Sequence, residues 1–193
     1  NGLWIVQTAS NDFLTARELV ITTPLPQALN LLETIGHEYA IGNIEALRKV
    51  RYERGLATLA ILDGPSGLPA PGGLKVRDAP LTWIADNQIK GISPEVSSIT
   101  IHANANFADQ YWDSCDNLRG KIMIEAAAPL IQSNVSEFNC HRWKYTTPIN
   151  PWSEQYFHND DLRFTLAGDS FGGARIEGAA LSGLAAASRI LSS

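Results

Sequence analysis

Cysteine, charge and long apolar runs are all scarce in this chain, and each scarcity closes off a class of protein. Its two cysteines, Cys115 and Cys140, are too few for a disulfide framework and form no CxxC pair. A reducing, cytoplasmic setting is therefore the expectation. No apolar run approaches the roughly 20 residues that span a bilayer, and the first residues show no charged-then-apolar leader pattern. A membrane partner is not expected. Charged residues make up 18% of the chain, fifteen basic against twenty acidic, for a net charge of −5. With no block of Lys or Arg, the electrostatic footprint of a nucleic-acid binder is missing. The 4 histidines are scattered, with no i,i+4 pair and no Cys–His spacing, so no metal site is expected.

Phosphate-cradling and nucleophile motifs are absent as well. There is no P-loop, which removes kinases and NTPases, and Ser66 and Gly67 stand in no nucleophile-elbow context. No strand–GxGxxG–helix unit occurs. Glycines cluster at 64–67 and 72–73, but inside a proline-rich loop. The chain opens at Asn1 on residues that already read as strand, and a piece of a longer polypeptide is the expectation.

What is present is enough apolar sequence, 45% of 193 residues, to bury a core. Residues 3–8 and 18–22 read as two strands separated by a polar turn at Ser10-Asn11-Asp12. Pro26 opens a helix over 27–35 that stops at Gly36, and a second helical pattern covers 41–52. Strand patterns follow at 55–62, 81–85, 97–103 and 138–145, with a helix over 118–131 between the last two. The Pro- and Gly-rich stretch 63–73 reads as a surface loop or lid. His37 and His158 fall in loop-like segments, and Asp160-Asp161 reads as a solvated turn. Strands and helices mix without βαβ alternation, which predicts an α+β fold with a mostly antiparallel sheet and helices packed on it.

The last segment is different in kind. A strand at 162–166 runs into Gly168-Asp169, then a glycine-bearing loop, then a helix from near Ile176 that is dense in Ala, Gly and Ser. Small residues let a helix backbone approach a partner closely, and its N-terminal N–H groups suit negative charge. Asp169, at the carboxyl end of a strand, is placed to accept hydrogen bonds from sugar hydroxyls. The pattern by itself fits a cofactor cradle or a tightly packed Ala-rich helix equally.

Gly168-Asp169, Arg175-Ile176-Glu177-Gly178-Ala179, Ser182-Gly183 and Ala186-Ala187 together resemble the C-terminal flavin signature of the FAD-dependent amine oxidase superfamily. Residues 19–29, 83–91, 99–102 and 141–143 are similar to segments of its renalase-like branch, in the same order along the chain. The resemblance implies FAD as cofactor, with Gly168, Asp169, Arg175, Ile176, Glu177 and Gly178 holding it. It also implies that Asn87, His102 and Trp143 line a substrate pocket over the flavin. His102 alternates with Ile99 and Ile101, so it projects from the opposite strand face, and Trp143 shares a face with His141 and Tyr145.

The implied architecture has three parts: residues 1–36 returning from an FAD-binding domain of the glutathione-reductase/hydroxybenzoate-hydroxylase type, a substrate domain over 37–160, and a closing FAD-binding strand, loop and helix over 161–193. The implied activity is oxidation of a small molecule, a reduced nicotinamide nucleotide or an amine, by hydride transfer to FAD with dioxygen as final acceptor. An amine oxidase or desaturase branch of the superfamily, or a non-catalytic ligand- or partner-binding α+β module, stays open beside it. Because the dinucleotide-binding motif is missing, the polypeptide alone is not expected to retain FAD or to be active.

Overall fold

A computed structural model describes residues 2–36, 44–77 and 80–192. Its contacts divide the chain into two compact units, one formed by residues 1–52 and 147–193 and the other by 53–146. The second lies inside the expected 37–160 segment.

The first unit opens on an antiparallel hairpin of β1 (Trp4–Gln7) and β2 (Phe13–Ala16). The polar turn at 10–12 therefore joins β1 to β2, not to the strand at 18–22 as the sequence pattern suggests. Thr8 N donates to Asp12 O at 2.9 Å and Asn11 adopts φ 64°, so the chain reverses at once and pairs with the residues that follow directly. The expected strand at 18–22 is β3 (Leu19–Ile21). Pro24, without an N–H to give, ends it and caps α1 (Leu25–Leu32), which buries Leu25, Ala28, Leu29 and Leu32. A 3-10 turn over Glu33–Ile35 closes at Gly36, φ 93°.

The helix expected over 41–52 shrinks to α2 (Ile44–Leu47), with 41–43 and His37 lying outside the described residues. Asn150 explains the early stop. Its amide takes Arg51 N and gives to Lys49 O, both at 2.8 Å, drawing the chain after the turn at 48–49 out of the helix.

The second unit is a five-stranded sheet of order β5-β6-β7-β4-β8. Its strands are β4 (Tyr52–Leu62, begun in the first unit), β5 (Gly73–Lys75), β6 (Leu81–Asp86), β7 (Ser98–Ala103) and β8 (Val135–Pro148). The pairings β5/β6, β6/β7 and β7/β4 are antiparallel. Period-2 alternation sends Leu56, Ala60, Ile84, Ile99 and Ile101 to one face, where they pack with Met123 and Ala127 of α4 (Asp116–Ala127). Ahead of it runs α3 (Ala105–Gln110), which sequence reading passed over. Asn104 caps it by accepting Phe107 N at 2.8 Å, and Phe107 and Ala108 enter the core.

The stretch 63–73 is a surface loop anchored at several points. Ser66 and Leu68 are buried, the Ser66 hydroxyl donates to the Asp86 carboxylate, and Gln132 N donates to Ser66 O at 2.8 Å. Asp63 holds Asn134 through both carboxylate oxygens.

The chain returns to the first unit through β9 (Phe157–Asn159) and β10 (Phe164–Leu166), then α5 (Ile176–Leu191). The sheet order is β3-β10-β9, with β10 parallel to β3 and antiparallel to β9. His158 thus sits in a strand, not a loop. Its Nδ1 shares a 2.8 Å hydrogen bond with buried Thr165, and Asp160-Asp161 forms the turn between β9 and β10. A separate core of Leu25, Leu29, Leu32, Leu47, Phe164, Leu166 and Phe171 holds the unit together.

Candidate functional site

In the first unit, chemistry gathers where β10 meets α5. Gly168 adopts φ 130°, a conformation that L side chains rarely enter, and a Cβ there would stand 3.4 Å from Thr22 O. Its N–H donates to Ser182 Oγ at 2.9 Å, which ties the strand end to the helix. Gly178, Ser182 and Ala186, spaced by four, form the buried stripe of α5. Gly178 is required by the crossing itself, because a Cβ would meet Gly173 O at 2.2 Å. The loop between them is therefore laid directly on the helix backbone. Gly173, also at φ 130°, has open space where a Cβ would be.

The N-cap residue of α5, Arg175, makes no side-chain capping hydrogen bond to the first-turn N–H groups. Arg175, Ile176 and Glu177 are exposed, Ile176 at 93%. Asp169 is half-buried. Its Oδ1 accepts the Tyr52 hydroxyl at 2.8 Å, and the Ser170 hydroxyl bonds the same phenol oxygen. Leu25 N donates to that oxygen at 3.3 Å. Burial, with the Asp169 carboxylate acting in the same direction, outweighs the Ser170 and Leu25 contacts and pushes the Tyr52 phenol up to about 12. Tyr52 is thus a fixed neutral donor that orients Asp169. Sequence reading missed it, since its partner stands 117 positions away. Ser182 had a visible signal, a polar residue in line with Gly178 and Ala186.

In the second unit, the face of the sheet turned away from Met123 carries the other three predicted residues. Strand register sets Lys75 beside Trp83, Trp83 beside His102, and His102 beside Ala57. The next row joins Gly73, Ala85, Thr100 and Leu59. Asn87, in the turn after β6, donates from Nδ2 to Thr100 Oγ1 at 3.1 Å, so it reaches the same face. The Trp83 indole lies over Gly73, where a Cβ would meet it at 2.5 Å.

On β8, His141 and Trp143 alternate with buried Cys140 and with Arg142, whose guanidinium lies over Trp112. Their rings meet edge to face at 4.6 Å, and Trp143 is 52% exposed. Partial burial first, and the Lys90 cation second, hold the His102 imidazole below its ordinary range, so it is neutral at pH 7. A model of flavin-containing amine oxidoreductases matches residues 1–191.

The chain belongs to that flavin-containing family.

Solved structures repeat the fold. A protein assigned as a protoporphyrinogen oxidase from Exiguobacterium sp. superposes with TM-score 0.62 at 15% identity, over 100% of this chain and 45% of its own. An oxidoreductase from Methanosarcina mazei superposes with TM-score 0.60 at 13% identity, over 92% and 44%. This chain therefore spans less than half the length of the structures it matches. The family's flavin, in the form of FAD, fits the first unit's geometry. Positive-φ glycines bring backbone to a surface beside a helix N-terminus whose N-cap side chain makes no capping bond, and a fixed carboxylate stands next to them.

Proposed function

We propose that the chain forms part of an FAD-dependent oxidoreductase of the renalase-like branch, which oxidises a reduced nicotinamide-type nucleotide or an amine with dioxygen as the final acceptor. The flavin, when bound, supplies the hydride-accepting chemistry. In this reading Gly168, Asp169, Arg175, Ile176, Glu177 and Gly178 hold the cofactor. Asp169 accepts from sugar hydroxyls while Tyr52 keeps its carboxylate turned, and the first turn of α5 offers N–H groups to negative charge.

Asn87, His102 and Trp143 orient the substrate. Hydride transfer needs alignment and a dry surface more than acid–base groups. A neutral imidazole, an amide held by Thr100 and two exposed indoles offer contacts for alignment without a strong acid or base. The observation that carries the reading is that Asn87, Trp83 and His102, together with Trp143, share the face of one sheet turned away from Met123.

Anaerobic titration of the full-length, FAD-loaded protein tests it. Dihydronicotinamide nucleotides or amines are expected to bleach the flavin absorbance, and air to restore it. A flavin reduced by neither class would refute the assignment.

A further inference from the structure

The face of the second unit's sheet turned away from Met123 has a charge arrangement that the proposed substrate roles do not use. Across strands β5, β6 and β7 the side chains on that face include one fixed cation, Lys75, and one neutral imidazole, His102. The single carboxylate on these strands, Asp86, is 3% exposed. It is consumed by the Ser66 hydroxyl and by Ile89 N at 2.7 Å. A second cation, Lys90, follows in the turn that carries Asn87, near enough for its charge to act on His102. Neither lysine has a carboxylate within ion-pair distance among the described residues. Both are exposed, and Lys75 pairs in register with Trp83, whose indole is spread over Gly73.

We propose that Lys75 and Lys90 are specificity-determining residues that seat the anionic group of a flat heteroaromatic substrate lying on Trp83 and His102. The physical reasoning is charge complementarity beside a ring platform. A planar ligand gains contact area on an exposed indole at little entropic cost, and an exposed ammonium with no ion-pair carboxylate among the described residues can pair with an incoming anion. The anion can be a phosphate on the ring's substituent or a carboxylate attached to the ring system, and the two share the same recognition chemistry. The inference rests on the substrate-face reading above.

The test uses the full-length, FAD-loaded protein and three dihydronicotinamide probes of one ring: the mononucleotide, the uncharged nucleoside and an N-carboxymethyl analogue. Binding is followed by tryptophan fluorescence under anaerobic conditions, and turnover by flavin bleaching. Each of Lys75→Gln and Lys90→Gln is expected to raise Kd for an anionic probe about tenfold, with the nucleoside unchanged. Lys121→Gln, an exposed lysine on α4, is the control and should change neither. The probe that loses affinity tells phosphate from carboxylate.

Equal losses for charged and uncharged probes, or no loss for either anion, would overturn the proposal while leaving the oxidoreductase reading intact. If no probe bleaches the flavin, the nicotinamide half of that reading fails and the amine half is left to the titration above. Binding alone then decides the lysines: an anion preference abolished in the double variant upholds them, and its absence overturns them.

Discussion

The phenol of Tyr52 donates to Asp169 at 2.8 Å across 117 positions of sequence. That one bond links the entry of β4 to the Gly-Asp turn after β10, and it fixes the carboxylate on which the cofactor reading depends. Tyr52→Phe removes the donor and also strips Leu25 N of its acceptor. The expected cost is about 1–3 kcal/mol of stability, read from thermal unfolding, together with weaker FAD retention.

The same residue sets an alkaline limit. Folding holds the Tyr52 phenol neutral, with its pKa raised from 10.0 to about 12. The stabilisation is fully present below pH 10 and is lost as pH rises through about 12. Chemical unfolding across that range should show the loss in the wild type and a smaller one in Tyr52→Phe.

Two glycines of α5 should respond in opposite directions. Gly178→Ala drives a Cβ into Gly173 O, a backbone atom at 2.2 Å, and must displace the loop. A loss of about 1–3 kcal/mol is expected. Gly183→Ala meets nothing within 4 Å. It should stabilise the helix by up to about 1 kcal/mol. Paired melting curves check both signs.

These glycines also show what the sequence could and could not reveal. The Gly168-Asp169 turn, the small-residue helix and four strands of the five-stranded sheet were legible, because each is written in local spacing, while the three-residue β5 was not. Alternation alone put His102 opposite Ile99 and Ile101. The second strand of the first hairpin was not legible, since Phe13 and Leu14 are exposed and lack an inward pattern. Nor was the end of α2, which depends on Asn150 from the far end of the chain. Tyr52 and Trp83 gained their meaning only from partners brought in by the fold.

Asp86 fastens the stretch 63–73 to the turn that presents Asn87. Asp86→Ala would leave the Ser66 hydroxyl and Ile89 N without their acceptor. Amide exchange over residues 87–91 should accelerate, with a stability loss of about 1–3 kcal/mol for each unpaired group. Unchanged exchange would show that the turn holds itself.

His102 should titrate below its ordinary value of 6.5. Folding favours the neutral ring, so its contribution is present above pH 6.5 and is lost as pH falls through the lowered folded value. Imidazole NMR titration checks the midpoint, and Lys90→Gln should move it upward.

The most direct measurement is the flavin absorbance of the full-length, FAD-loaded protein mixed anaerobically with dihydronicotinamide isomers and, separately, with amines. Bleaching by one class, slowed in His102→Ala and Trp143→Ala and reversed by air, is the predicted result. A flavin that stays oxidised with both classes would contradict the assignment.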